Sequence, residues 1–452
     1  MRRFPTAVLL AAVMALAPVS LDGCASRAPV GQDRGASVVE LTPDGAWSWF
    51  SEPRAFCVGE TLVAGWVTSA GRLQAGTCDL GTHRVSVFDV VPEFDGDDHS
   101  HPVLVRTSDG RYSAFYSIHA GASTYLKYRV TARPFDLSSW YGEREIATNT
   151  PGFGGATYPN PVPLSGAVDT LLVFWRGGNW NPTCVRVSYD PLWTDWQFGD
   201  AEALVLRPSE RPYAKYAVDG TGRVGIAFTD GHPRETKNNL YFIAADPRDV
   251  SGTSLRGADG RKLGSPADLP LTAADADLVF DRTSATEETG DNCWIWDVAF
   301  DASDNAVVAY STFVSRGEHQ YHVARHDGVR WEDQLLVGAA GGSIADTTRG
   351  YHEYYYSGGM ALDPADPGTV YMSLPNAAGG WDIAQWKTAD GGRSWAATAV
   401  TSGATEKNVR PVVPRDHPPG LDIVLWMSGR YEHYTDYETA VRLWMRPSSG
   451  TR

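Results

Sequence analysis

The sequence predicts an all-β chain closed into a seven-bladed β-propeller, and three observations carry that expectation. A strand that opens on a polar or aromatic cluster, runs into a turn and returns through an apolar strand appears seven times. Successive openings fall roughly 50 to 85 residues apart, a spacing that leaves room for four short strands per unit. No segment sustains a helical period, so the apolar residues have to pack sheet against sheet. Turn clusters rich in Asp, Gly and Trp close the outer hairpins. One of them, Thr388-Ala389-Asp390-Gly391-Gly392-Arg393-Ser394-Trp395, fits the pattern S/T-x-D-x-G-x-x-W, a turn tied by its own side chains, and Asp327-Gly328-Val329-Arg330-Trp331 is a degenerate copy.

In chain order, residues 1–24 read as an export signal, with Arg2 and Arg3, an almost wholly apolar run over 7–19, then Leu21-Asp22-Gly23-Cys24. The apolar run is too short to span a bilayer. Leu-x-Gly-Cys resembles a bacterial lipoprotein box, whose cysteine is lipidated and becomes the mature N-terminus. Cys24 is therefore the expected anchor of an exported, cell-surface or periplasmic lipoprotein, with plain cleavage and secretion as the alternative. Residues 25–36 read as a short tether and 37–448 as the propeller. Residues 37–41 are expected to pair beside the last blade, whose strands include 423–426 and 440–444, because a closed ring has no exposed sheet edge.

The seven openings are Trp49-Phe50-Ser51-Glu52-Pro53-Arg54, Asp98-His99-Ser100-His101-Pro102, Thr157-Tyr158-Pro159, Glu210-Arg211-Pro212-Tyr213, Cys293-Trp294-Ile295-Trp296-Asp297, Tyr355-Tyr356-Ser357-Gly358-Gly359 and Asn408-Val409-Arg410-Pro411. The longest interval contains residues 251–289. In a propeller every innermost strand starts on the same face, so these clusters converge without being neighbours in sequence.

The 452 residues, 42% hydrophobic and 11% aromatic, suffice for one large core. A formal charge of −15, one unit more negative without residues 1–23, argues against a nucleic-acid partner, which needs a basic footprint. A monomer is expected, touching a membrane only through its lipid. Beyond Cys24 there remain Cys57, Cys78, Cys184 and Cys293, too few for a disulfide framework, with a Cys57–Cys78 bridge left open.

Hairpin register brings chemistry to the openings. Ser108-Asp109-Gly110-Arg111 is a turn signal, and pairing about it puts residues whose numbers sum to about 218 opposite one another, so His99 faces His119. With a turn centre near 167, Tyr158 faces Arg176; the third hairpin contributes Arg211, Tyr213, Lys215, Tyr216 and His232. A glycosidase normally needs two carboxyl groups flanking the bond, and Asp97, Asp98 and Glu210 keep that option open. A His/Tyr/Arg set suits β-elimination from a uronate instead. Arg neutralises the carboxylate, His removes the proton beside it, and a Tyr hydroxyl protonates the leaving oxygen. Trp180 and Trp193, near loops, are possible sugar-stacking surfaces.

Taken in order, Asp97-Asp98-His99-x-x-Pro102, Tyr158-Pro-Asn-Pro, Arg211-Pro-Tyr213-x-Lys215-Tyr216, Asp230-Gly-His232-Pro, Trp294-x-Trp296-Asp297, Tyr356-Ser-Gly-Gly and Asn408-Val-Arg410-Pro resemble the BNR-repeat propeller family that includes the seven-bladed ulvan lyases. The resemblance runs from residue 47 to 444. It implies a polysaccharide lyase acting on an anionic, sulfated, uronate-containing polysaccharide, with His99 and Tyr158 as the base and acid and Arg176 as carboxylate neutraliser. His119, Arg211, Lys215 and either Tyr213 or Tyr216 would contact substrate. It also implies a structural zinc ion, for which His232, Cys293 and His319 are candidate ligands and His322, His326 and His352 alternatives; no spacing is a zinc signature. The alternatives on the same fold are a sialidase-like glycoside hydrolase and a non-catalytic surface carbohydrate-binding propeller.

Overall fold

Each blade begins with a hairpin whose turn chemistry sets its register. In the second, Gly110 at φ 81° takes the left-handed position that a residue with a Cβ enters only under strain, and the Thr107 hydroxyl binds Asp109 Oδ1 at 2.7 Å. Val103 consequently pairs with Phe115 and Arg106 with Tyr112, so paired numbers sum to 218 as the turn requires. In the computed structural model, residues 35–119, 125–148, 155–164, 167–204, 210–246, 255–284 and 292–448 are described. The leader, Cys24 and nearly all of the tether lie outside them.

Seven antiparallel sheets form the seven blades of a β-propeller, each inner strand containing or following one of the seven openings. Blade one contains Ala55–Val58, Thr61–Val67, Leu73–Asp79 and Val85–Val91. Blade seven contains Lys407–Val412, Leu421–His433 and Asp436–Pro447, and its fourth strand is Ser37–Thr42 from the other end of the chain, with Val38 opposite Trp444. The expected clasp is therefore present, and it pairs the edge that blade seven would otherwise expose. Blade four carries additional short strands at Leu255–Arg256, Lys262–Gly264 and Asp277–Phe280, which account for the longest interval between openings.

Tryptophan fills much of the space between blades. Trp47, Trp49, Trp66, Trp175, Trp196, Trp294, Trp296 and Trp426 are fully buried. A buried indole gains when its N–H is paired, and Trp196 finds Ser113 Oγ across the boundary between blades two and three at 3.0 Å. The segment before blade one crosses the centre of the ring. Trp49 stacks on Trp296 at 4.5 Å and donates to Ile295 O, Trp47 donates to Arg410 O, and Asn160 Nδ2 donates to Phe50 O. Below this plug the inner strands diverge around a cavity of about 480 Å³, lined by Phe56, Val105, Val218, Phe300, Leu362 and Val413, which lie toward the far ends of those strands.

The S/T-x-D-x-G-x-x-W turn of blade six is tied as its residues dictate. Asp390 accepts from the Ser394 amide at 2.9 Å and the Ser394 hydroxyl at 2.6 Å, while Trp395 Nε1 donates to Gly392 O at 3.0 Å. The bridge left open between Cys57 and Cys78 does not form. Both residues pair with Leu62 on the strand between them, so they stand two strand spacings apart, about 9.5 Å against the roughly 7 Å a disulfide tolerates, and all four described cysteines are free.

Candidate active site

Asp97 caps a single 3₁₀ turn at Asp98–Ser100, its Oδ1 accepting from the His99 amide at 2.9 Å. The same carboxylate organises both histidines. Its Oδ1 lies 2.6 Å from His99 Nδ1 and its Oδ2 2.7 Å from His119 Nδ1. With both Nδ1–H groups directed at Asp97, the two imidazoles stack at 3.8 Å and 5° between planes, as the register of their hairpin leads one to expect. Each ring then keeps Nε2 for a ligand. Asp98 Oδ1 also lies 2.9 Å from His99 Nδ1, an ionic contact beside the directed bond to Asp97, and its Oδ2 accepts from Arg410 Nη1 at 2.5 Å and the Tyr431 hydroxyl at 2.6 Å.

These contacts set the protonation states. Burial alone would lower the pKa of His99, but Asp97 and Asp98 override it and push the imidazole up to about 9. Burial and the charge on His99 hold His119 down at about 4, against the pull of Asp97. Asp97 is held well below the usual carboxylate range although burial would raise it, because both histidines favour its anion.

Tyr158 and Arg176 complete the patch. The sequence register expected them to pair directly, whereas Thr157 pairs with Arg176 and the ladder slips before Asn160. Tyr158 sits in this bulge at φ 63°, left-handed strain that re-aims its ring toward the histidines, 5.4 Å from His99. Asn160 holds the bulge by donating to Tyr158 O at 2.8 Å. The Arg176 guanidinium lies over the Tyr158 ring at 4.6 Å and donates to the Tyr213 hydroxyl at 2.8 Å. Burial holds the Tyr158 hydroxyl well above its ordinary pKa, with Arg176 opposing, so at neutral pH it carries a proton to give.

Of the other candidates, Tyr213 faces this patch and Tyr216 does not. Residues alternate along a strand, so Tyr216 points between blades three and four and stacks on Phe174 at 4.2 Å. Lys215 is also not a substrate contact: it is 1% exposed, and Nζ donates to Trp49 O at 2.5 Å and Glu52 Oε1 at 2.9 Å. Burial lowers its pKa, with Glu52 resisting. Arg211 sits at the rim, over Trp180 at 4.7 Å and paired with Glu235 at 3.1 Å. Trp193 lies between the outer strands Pro182–Asp190 and Asp195–Phe198, on the turn at the end of the blade away from the openings.

The zinc set does not assemble. His319 has both ring nitrogens engaged, Nδ1 by Ser357 Oγ at 2.8 Å and Nε2 by Tyr354 O at 3.1 Å. Cys293 is fully buried, and burial keeps its thiol protonated, well above the ordinary pKa. His232 Nδ1 accepts from the Arg234 amide at 3.0 Å, and its ring packs at a tilt of 54° against Trp294, 4.7 Å between centroids. Among the described residues, the set of such groups whose donor atoms gather within 4.8 Å is Asp97, His99 and His119. There the proximity is that of two Nδ1–H groups on one carboxylate rather than of a ligand shell.

Two elements of the site were assigned no role from sequence. Tyr434, at the tip of the hairpin joining Leu421–His433 to Asp436–Pro447, stands edge-on to both imidazoles at 4.9 and 5.2 Å and accepts at its carbonyl from the Asp98 amide. Its signal is the unusual length of those strands, 13 and 12 residues, which carries the hairpin over the opening. Arg410, like Tyr158, has a left-handed backbone, φ 53°, and is wholly buried against Asp98.

The profile of a BNR repeat-containing family matches residues 62–337 of the chain. Among solved structures, an ulvan lyase described as representing a new polysaccharide lyase family, bound to -[GlcA(1-4)Rha3S]-, superposes with a TM-score of 0.65 at 14% identity, covering 89% of this chain and 94% of that one. Polysaccharide lyase Uly1 superposes with a TM-score of 0.58 at 11% identity, covering 91% of this chain and 99% of that one. No curated protein sequence matches the chain.

Proposed function

The chain belongs to the BNR repeat-containing family, and from that premise we propose that it is a polysaccharide lyase cleaving an anionic, uronate-containing, ulvan-like sulfated polysaccharide by β-elimination. The observation that carries this reading is the convergence of the His99–His119 pair, Tyr158 and the Arg176–Tyr213 pair on one patch. The proton on the carbon next to a uronate carboxylate leaves only when that carboxylate's charge is neutralised. The fixed, planar guanidinium of Arg176 suits this, since it offers two parallel N–H groups to a carboxylate. An imidazole of the stacked pair takes the proton, and the Tyr158 hydroxyl protonates the departing glycosidic oxygen. Tyr213 orients Arg176, and Asp97 orients both imidazoles as a positioning residue.

Among the described residues, the carboxylates in contact with this patch are already engaged, which disfavours the hydrolase alternative. Asp97 is committed to two histidines, Asp98 to Arg410 and Tyr431, and Glu353 to Arg234 at 2.8 Å. The test is incubation of the purified protein with ulvan and with other uronate polymers, followed by ultraviolet absorbance of the unsaturated uronate end. We expect absorbance with the wild type and a loss on the order of 10²–10⁴ in rate for Tyr158→Phe. Saturated products would instead establish hydrolysis, and binding without any product would establish the non-catalytic reading.

A further inference from the structure

We propose that the two stacked imidazoles divide the work, His119 acting as the neutral base while His99 remains an imidazolium that stands with Arg176 as the positive charge around the substrate carboxylate. This assignment rests on the lyase reading and replaces the expectation that His99 is the base.

The charges of the buried cluster around His99 favour its protonation. Asp97 and Asp98 bring two negative charges, and Arg410, wholly buried on Asp98 Oδ2, brings one positive charge. One more cation closes the count, and the group placed to supply it is His99, whose Nδ1 lies 2.6 Å from Asp97 and 2.9 Å from Asp98. A buried charge without compensation is costly, so protonation of His99 is the state this arrangement favours. Of the two carboxylates, Asp97 is the one in contact with His119. Its ring lies parallel to His99 at 3.8 Å, where a second imidazolium would press like charges face to face. Accessibility points the same way, since the His119 side chain is 15% exposed and that of His99 3%.

The other groups around the pair agree. Arg176, from blade three, adds positive charge that disfavours protonation of His119. Tyr158, Tyr431 and Tyr434 are each held protonated by burial and contribute no charge. Burial lowers His433 of blade seven, which leaves it neutral as well. The shift of His99 up to about 9 and of His119 down to about 4 follow from this environment.

The step balances. The C–H bond beside the carboxylate gives its proton to His119 Nε2, and its electron pair becomes the new C=C bond. The bond to the glycosidic oxygen breaks with its pair on that oxygen, which takes the Tyr158 proton. The enzyme is left with a protonated His119 and a Tyr158 phenolate, and transfer of one proton between them restores it. His99 keeps its charge throughout.

Imidazole nitrogen NMR on the full chain reads the charge division without relying on activity. Between about pH 5 and 8, His99 should show both nitrogens protonated and His119 a neutral ring with the proton on Nδ1. His119→Gln should cut turnover on the order of 10²–10⁴ while substrate binding persists. His99→Gln should raise KM more than it lowers kcat and remove the alkaline limb of the pH–rate profile. A neutral His99 in the NMR spectrum of an active enzyme, or full turnover in His119→Gln, overturns the division and leaves the lyase reading standing. No unsaturated product from the wild type on any uronate polymer overturns the lyase reading and the catalytic roles together.

Discussion

Asp97→Asn is the most informative single change, because one carboxylate positions both histidines and supplies much of the charge that keeps His99 protonated. His99 is raised from an ordinary value of 6.5 to about 9, so its proton stabilises the folded chain by ~3 kcal/mol at 1.36 kcal/mol per pH unit. Because the folded-state pKa is the higher, this stabilisation is fully present below pH 6.5 and is lost as pH rises through about 9. Asp97 and Asp98 share the effect, so replacing Asp97 should remove about half or more of it, ~2 kcal/mol. The lowered pKa of Asp97 itself works in the acid range, where its stabilisation is lost only as pH falls, and does not disturb the measurement. The assay is urea denaturation at pH 6.5 and pH 9.5. Burial also raises the thiols of Cys57 and Cys293, whose loss of stability over this range is the same in both proteins, so the reading is the difference: the wild type should lose ~2 kcal/mol more between the two pH values than the variant. Turnover should fall by about 10²–10⁴, because an amide accepts from one Nδ1–H and turns its own N–H groups toward the other, releasing that ring from its tautomer. A variant that keeps the wild-type dependence on pH would refute the charge argument, and one that keeps turnover would refute the positioning role.

Three further outcomes follow from the structure. Arg176→Lys should abolish turnover and leave the fold intact, since a point charge reproduces neither the bond to Tyr213 nor a two-pronged grip on a carboxylate; steady-state rates with circular dichroism as control decide it. Lys215→Met removes the cation that joins Glu52 to the Trp49 carbonyl, and breaking a buried pair costs about 3–5 kcal/mol, so urea denaturation should register a loss of at least ~2 kcal/mol with Arg54 compensating the rest. Asp390→Ala unties a solvent-exposed turn on blade six and should lower the melting temperature by about 2 °C or less while turnover is unchanged; a large loss of activity would contradict its purely structural place.

The sequence by itself determined the ring. Seven polar openings, period-two strands and Asp-Gly turns are local signals, because hairpin register depends on the turn and the residues beside it. The stacking of His99 on His119 was legible for that reason, since both belong to one hairpin. The clasp of Ser37–Thr42 on blade seven was legible from the need to pair an edge. Only the tertiary structure decided what depends on several blades at once. Whether Tyr213 or Tyr216 faces the site turned on strand alternation against a neighbouring blade, and Lys215 proved internal because the Trp49–Glu52 plug, distant in sequence, crosses the ring to meet it. The bulge that re-aims Tyr158 is held by Asn160, whose side chain also binds that plug. The charge on His99 depends on Asp97 and Asp98 beside it and on Arg410 and Tyr431 from the far end of the chain, which hold Asp98 in place. Protonation states are sums over every charge within a few ångströms, and a linear sequence does not say which charges those are.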